Sequence, residues 1–230
     1  MNVKTNKRKN KMYKLVVFDL DGTLADTLSD LAHAVNESLK SVGAPTHPID
    51  SYRIFVGNGV NVLIKQALVE KGEDEQLCKK AKSFFDSYYP NHLCDYTTAY
   101  DKMADLLAEL EKEGVKTAVH SNKPHEFVPQ IIEKLYPHHN FEVVIGNMPE
   151  YERKPSPQAL LAIMDKLKVS TEETLYVGDS DVDVFTAHNA GVKVCGVAWG
   201  FRGKEELVNA GADFIAHDSA ELLDIIKGLV

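Results

Sequence analysis

The chain has 230 residues, of which 44% are apolar and 26% charged. That is a globular composition with enough length for one large or two small domains, and it excludes global disorder, collagen and a disulfide scaffold. No stretch approaches the roughly 20 unbroken apolar residues of a membrane span, and a net charge of −8 argues against nucleic acid as a partner.

Met1 to Lys11 is basic and almost without apolar residues. It lacks the apolar run of a secretory signal and reads as a disordered extension over residues 1–11. Tyr13 to Phe18 is a β-rich run ending at Asp19 and predicts a buried strand. The stretch 27–93 then holds three helical patterns and no clear strand. Leu28, Leu31, Ala32, Val35 and Leu39 form the first, stopped by Gly43 and Pro45. Val60, Leu63, Ile64, Ala67 and Leu68 form the second, and Leu77, Ala81, Phe84, Phe85 and Tyr88 the third, stopped at Pro90. Such a block, set directly after the first strand, predicts an inserted helical subdomain; the plainer alternative is that these helices simply cover the sheet.

From residue 94 onward, strand and helix patterns alternate. Strands are predicted over Val115 to His120, Glu142 to Ile145, Thr174 to Val177, Val192 to Val197 and Asp213 to Ile215, with helical spacing at Leu106–Leu110, Phe127–Leu135 and Ala159–Leu167. Strand–helix alternation of this kind predicts a Rossmann-like parallel sheet with helices on both faces, built from residues 12–26 and 94–230. Cys78, Cys94 and Cys195 lie far apart with no Cys-x-x-Cys, which argues against zinc and fits a reducing, cytoplasmic compartment.

In a parallel sheet, ligands collect beyond the carboxyl ends of the strands. Four such ends are rich in chemistry: Asp19-Leu20-Asp21-Gly22-Thr23, then Ser121-Asn122-Lys123-Pro124, then Arg153-Lys154-Pro155-Ser156-Pro157, then Gly178-Asp179-Ser180-Asp181-Val182-Asp183. Brought to one edge, they gather several carboxylates, a hydroxyl and a lysine. Crowded carboxylates raise one another's pKa unless a hard divalent cation relieves them. Magnesium prefers such oxygen ligands and often shares them with a substrate phosphate, whose other oxygens suit a lysine and a hydroxyl. Gly22 lets the backbone after Asp21 turn sharply. The pattern therefore reads as a magnesium–phosphate site.

Asp19-x-Asp21-Gly22-Thr23-Leu24-x-Asp26, Ser121-Asn122-Lys123-Pro124, Lys154-Pro155-x-Pro157 and Gly178-Asp179-Ser180-x-x-Asp183 resemble, in order and spacing, the four motifs of the haloacid dehalogenase superfamily. The resemblance spans the chain from Met12 onward. It implies a helical cap at 27–93 and an aspartyl-phosphate mechanism, with Asp19 as nucleophile, Asp21 as general acid and base, and Ser121 and Lys154 holding the phosphoryl oxygens. It also implies magnesium held by Asp19, the backbone carbonyl of Asp21, Asp179 and, through water, Asp183. An acid at position 21 favours an oxygen leaving group over a halide.

Arg53 to Leu63, with Gly57-Asn58-Gly59, is similar to the cap segment of the phosphoglycolate phosphatases. There Arg53, Gly57, Asn58 and Asn122 would bind substrate, the helix start facing a carboxylate; the alternative is a turn with a solvated arginine. The implied partner is a small phosphorylated metabolite, with no nucleic acid and no membrane, acted on by a monomer or weak homodimer. Alternatives are a sugar-phosphate phosphatase, a phosphomutase, a pyrophosphatase or a non-catalytic phospholigand-binding protein. Mutases of this type usually carry an acid where Gly178 stands, which weighs against that reading.

Other residues read more plainly. Asp179-x-Asp181-x-Asp183 is not an EF-hand, because Val184 and Ala190 replace the glycine and glutamate that loop needs. Ser121 lacks a Gly-x-Ser-x-Gly elbow. Asp181 reads as a helix-start residue, Asp26 as a cap of the first inserted helix, Trp199 as packing, His138-His139 as a solvated loop, and Lys123 as either substrate-facing or solvated.

Overall fold

Leu15–Phe18 (β1) is buried on both faces, which a strand of alternating outward polar residues could not be. It lies inside a six-stranded sheet with β4 (Lys116–Pro124), β5 (Val143–Asn147), β6 (Thr174–Gly178), β7 (Lys193–Val197) and β8 (Phe214–Ala216), in the order β5-β4-β1-β6-β7-β8. Every pair is parallel, with Phe18 level with Val119 on one side and Val177 on the other. The computed structural model describes residues 12–230, and the basic extension expected over residues 1–11 lies outside the described residues.

The two faces of the sheet carry separate apolar cores, as the period-two alternation of strand side chains demands. Val16, Phe18, Val119 and Val177 face one way, onto α4 (Met103–Lys112), α5 (Val128–Leu135) and α9 (Ser219–Ile226). Leu15, Val17, Ala118 and Tyr176 face the other, onto α6 (Gln158–Leu167), α7 (Asp181–Asn189) and α8 (Gly203–Ala210). The α/β architecture with helices on both faces is the one the sequence predicts.

The helical insert is formed by α1 (Leu28–Ser41), α2 (Val60–Ala67) and α3 (Glu75–Tyr88). Leu31, Val35, Leu39, Ile64, Ala81 and Phe85 are buried between them and run continuously into the core on the Phe18 face. A two-stranded antiparallel ribbon, β2 (Ala25–Asp26) with β3 (Thr98–Ala99), ties together the chain leaving for the insert and the chain returning from it. Strands of two residues show no readable periodicity, so the sequence gives no sign of this ribbon. Nor does it announce α8 and α9, or the 3₁₀ turn Ile49–Ile54.

Two expectations change. β4 does not stop at His120: it runs to Pro124, which pairs with Asn147, after a break in register between His120 and Pro124. The polar Ser121-Asn122-Lys123 segment thus belongs to an irregular strand end, which re-aims side chains as bulges do. His138 is exposed, but His139 turns inward. Its Nε2 lies 2.8 Å from Thr117 Oγ1 and its ring packs edge-on to Phe141, so burial lowers its pKa. Trp199 packs beside Tyr100 and donates its indole N–H to Thr23 O, and Asp26 Oδ1 accepts from the Leu28 N–H at the start of α1. Asp181 opens α7. Among the described residues, no helix is long and apolar enough to cross a membrane.

The buried Asp30 holds the insert to the core. On α1, it accepts from the Tyr96 and Thr97 N–H groups and from the Thr97 hydroxyl, at 2.6–3.1 Å. Asp30→Ala would strand these donors out of water. It should cost about 2–3 kcal/mol of unfolding free energy, read from the denaturant midpoint; a loss below about 1 kcal/mol would show that the contact is dispensable.

Candidate active site

Each chemical group sits where a strand ends. Asp19 follows β1, Ser121 to Lys123 occupy the irregular end of β4, Lys154 lies on the connection from β5 to α6, and Asp179 and Asp183 bracket the turn from β6 into α7. The parallel sheet brings these ends to one edge, as proposed from sequence.

Lys154 is the buried hub. Its Nζ lies 2.7 Å from Asp183 Oδ1, a hydrogen bond, and 2.9 Å from Asp19 Oδ1. The second contact is an ion pair, and Asp19 Oδ1 is buried without a well-formed hydrogen bond among the described residues. The other oxygen of Asp183 accepts from the Asp179 and Ser180 N–H groups and the Ser180 hydroxyl, at 3.2, 3.1 and 2.7 Å. Asp179 Oδ2 accepts from the Phe201 N–H at 2.6 Å.

Asp19, Asp179 and Asp183 are all buried and offer oxygens within 4.8 Å of one another. Three carboxylates facing one ammonium leave two negative charges uncompensated when all are ionised. Burial, then the neighbouring carboxylates, push Asp19 up to about 7 against the opposing pull of Lys154. Burial and the charges of Asp183 and Asp19 likewise raise Asp179 well above the usual carboxylate range. Lys154 is held protonated: burial opposes its charge, but Asp183 and Asp19 outweigh that and raise it. A donor set made only of hard oxygens, two charges short, with one oxygen lacking a donor, fits a hard divalent cation. Asp179 and Asp19 are the residues with an oxygen to offer, since both oxygens of Asp183 are already hydrogen-bonded.

Asp21 stands apart from that cluster. Lys123 Nζ lies 2.9 and 3.2 Å from its two oxygens, and the Thr27 hydroxyl donates to Oδ1 at 2.6 Å. Of the two sequence readings of Lys123, the solvated one fails: the residue is 5% exposed and lines the cavity beside Asp21. The sequence offered no signal for Thr27, which reads there only as a residue near a helix start.

A cavity of about 40 Å³ lies between core and insert. Asp19, Asp21, Ser121, Asn122 and Lys154 line it from the core, and Gly57, Gly59, Val60 and Tyr89 from the insert. Three core side chains donate to three successive carbonyls of the loop before α2. Arg202 reaches Val56 O at 3.0 Å, Asn122 reaches Gly57 O at 3.0 Å and Arg153 reaches Asn58 O at 3.4 Å. Asn122 also accepts from the Lys154 N–H at 2.9 Å, so one amide links the insert to the buried lysine. Of the residues named from sequence for substrate, Gly57 and Asn122 line the cavity; Asn58 does not, and its carbonyl accepts from Arg153 at the surface. Arg53 does not line it; its Nε lies 3.4 Å from Asp50 Oδ1 on the exposed 3₁₀ turn.

Two glycines explain the tight fit. Gly22 has φ +87°, and a Cβ there would overlap the Asp179 carboxylate. A Cβ at Gly178 would overlap Asp183, so an acidic side chain at that position requires Asp183 to move.

Fold and site together define a hydrolase-type centre: carboxylates and a lysine at the C-terminal edge of a Rossmann-like sheet, closed by a helical insert. A family profile described as haloacid dehalogenase-like hydrolase matches residues 16–197. The phosphoglycolate phosphatase of Vibrio cholerae is 36% identical over 221 residues, covering 94% of this chain and 98% of that protein. That of Pseudomonas putida is 35% identical over 222 residues, covering 94% and 78%. The crystal structure of a proposed phosphoglycolate phosphatase from Lactobacillus delbrueckii superposes with TM-score 0.88 at 30% identity, covering 94% of this chain and 98% of that one. The chain belongs to the haloacid dehalogenase-like hydrolase family.

Two outcomes follow from this geometry. Gly22→Ala should displace Asp179 and weaken divalent-cation binding about tenfold or more, measured by titration calorimetry; unchanged affinity would show that Asp179 need not stand here. The raised Asp19 carboxyl also has a stability consequence. A folded-state pKa near 7 against an unfolded value near 4 means that the folded protein binds the extra proton between those limits. Its contribution is fully present below about pH 4 and is lost as pH rises through about 7. In chelator, wild type should therefore lose melting temperature relative to Asp19→Asn between about pH 5 and about pH 8; parallel curves would contradict the shift.

Proposed function

We propose that this protein is a magnesium-dependent phosphomonoesterase working through an aspartyl-phosphate, with phosphoglycolate as its substrate and the cytoplasm as its compartment. The observation that carries the reading is Asp19 Oδ1, a buried carboxylate oxygen without a hydrogen-bond donor, lining the cavity 2.9 Å from Lys154. An oxygen so placed keeps a lone pair for attack on phosphorus, and Lys154 offers positive charge to the phosphoryl oxygens.

In the first half-reaction an Asp19 oxygen forms a bond to phosphorus while the bond to the ester oxygen breaks in line, and the leaving alkoxide takes a proton from Asp21. In the second, the Asp21 carboxylate removes a proton from water, whose oxygen attacks phosphorus and releases phosphate and the Asp19 carboxylate. Ser121 and Lys154, both lining the cavity, hold the phosphoryl oxygens through the hydroxyl and ammonium. Asp19, Asp179 and the Asp21 carbonyl would bind magnesium, with Asp183 acting through water. Magnesium supplies charge neutralisation of the transferring phosphoryl group. The loop before α2 is held against the core by three side-chain hydrogen bonds, which position the insert over the site.

Phosphoglycolate is favoured by the relatives' names: 94% of this chain aligns to a Vibrio cholerae phosphoglycolate phosphatase. Gly178 disfavours a mutase, because an acid there would collide with Asp183.

Asp19→Asn should release no measurable phosphate from phosphoglycolate while remaining folded by circular dichroism; near-normal turnover would refute the nucleophile. Chelation should silence the wild type, magnesium should restore it, and calcium, with looser coordination, should inhibit. A ranking of kcat/KM over phosphoglycolate, sugar phosphates, nucleotides and pyrophosphate tests the substrate.

A further inference from the structure

Besides Asp19 Oδ1, the cavity is lined by a second residue with an unsatisfied polar atom. Tyr89 is 1% exposed, and its hydroxyl has no hydrogen-bond partner among the described residues. Its ring is fixed by packing, stacked on Phe85 at 4.9 Å and edge-on to Phe127 at 5.5 Å. The hydroxyl is therefore placed by neighbouring rings and not by a hydrogen bond of its own. A buried, unpaired hydroxyl costs about 1–3 kcal/mol, which a ligand can recover.

Lys123 lies against the same ring, its Nζ 5.1 Å from the centroid. Its ammonium has three donors; the two oxygens of Asp21 accept from it, and the Tyr89 hydroxyl stands close enough to help hold its charge. Tyr89 comes from the insert, at the end of α3, and Lys123 from β4 of the core. The pair exists only where the two halves meet.

Their position relative to Asp21 decides what they could hold. If Asp21 serves the ester oxygen, as the proposed function has it, the atoms two bonds beyond that oxygen fall within a few ångströms of Asp21, and Lys123 is already 2.9 Å from it. In a phosphorylated 2-hydroxy acid, the group two bonds from the ester oxygen is a carboxylate. Leu31, Val60 and Leu63 form the apolar part of the wall, which offers nothing to the hydroxyls of a sugar. Arg53, the cation named from sequence for that carboxylate, is outside the cavity.

We infer that Lys123 and Tyr89 form the subsite that binds the leaving group's carboxylate, the ammonium supplying charge and the phenol a second donor, so that the protein selects phosphomonoesters of short 2-hydroxy acids. The inference rests on the proposed reaction only for the orientation of the ester, and its test is made by binding.

In an Asp19→Asn background with magnesium present, titration calorimetry would compare phosphoglycolate with its neutral counterpart, 2-hydroxyethyl phosphate. The parent should prefer the carboxylate by about tenfold or more, the scale of one charge-assisted contact. Adding Lys123→Met or Tyr89→Phe should each remove most of that preference, and Lys123→Arg should keep part of it. Tyr89→Phe removes one hydroxyl and keeps the ring packed on Phe85 and Phe127, so it should stay folded and keeps the test open if Lys123→Met folds poorly. Equal affinity of the parent for the two ligands, or equal losses for both in Tyr89→Phe, would overturn the subsite. Turnover separates the two ideas. A wild-type protein with the binding preference but no phosphate release from phosphoglycolate would overturn the proposed function and support the subsite. Turnover without the preference would do the reverse.

Discussion

The structure turns on an electrostatic deficit. Asp19, Asp179 and Asp183 converge within 4.8 Å in a buried place, and one ammonium, Lys154, cannot neutralise them. Burial makes the deficit severe, because the field of each carboxylate is poorly screened away from water. Much of the nearby architecture serves to hold this arrangement. The start of α7 gives two N–H groups and a hydroxyl to Asp183, the Phe201 N–H restrains Asp179, and Gly22 makes room for Asp179. Burial, then the neighbouring carboxylates, shift Asp19 and Asp179 upward.

Asp21 is managed differently, and the contrast gives the two acids their separate characters. It is matched one-to-one by Lys123 and steadied by Thr27, outside the crowded cluster. Its charge still reaches Asp19 and is one of the neighbouring negative charges that raise it. Two carboxylates two residues apart thus occupy unlike environments, one in the crowded cluster with Asp179 and Asp183 and one paired with Lys123.

The insert is more than a lid. Its apolar core runs without interruption into the core on the Phe18 face, Asp30 binds the returning chain, and the loop before α2 is held by Arg202, Asn122 and Arg153. Asn122 ties that loop to the Lys154 backbone, so the position of the insert and the position of the buried lysine are mechanically linked. Closure also brings Tyr89 against Lys123.

The layered fold and the groups of the centre were legible from sequence because both depend on local order. Strand and helix periodicities identify the elements, and in a parallel sheet the residues after each strand reach one edge whatever the helices do. Asp19, Asp179 and Lys154 therefore announce themselves. What only the tertiary structure decided depends on distances between segments remote in the chain. Lys123 looked as much solvated as functional, Arg53 looked like the cation of the cap, and Tyr89 fell outside the helical pattern ending at Tyr88; the docking of insert on core buried the first, left the second outside the cavity and stranded the hydroxyl of the third. Periodicity tells which face of a helix is buried, but the packing of two bodies determines which polar atoms on those faces find a partner and which are left for a ligand.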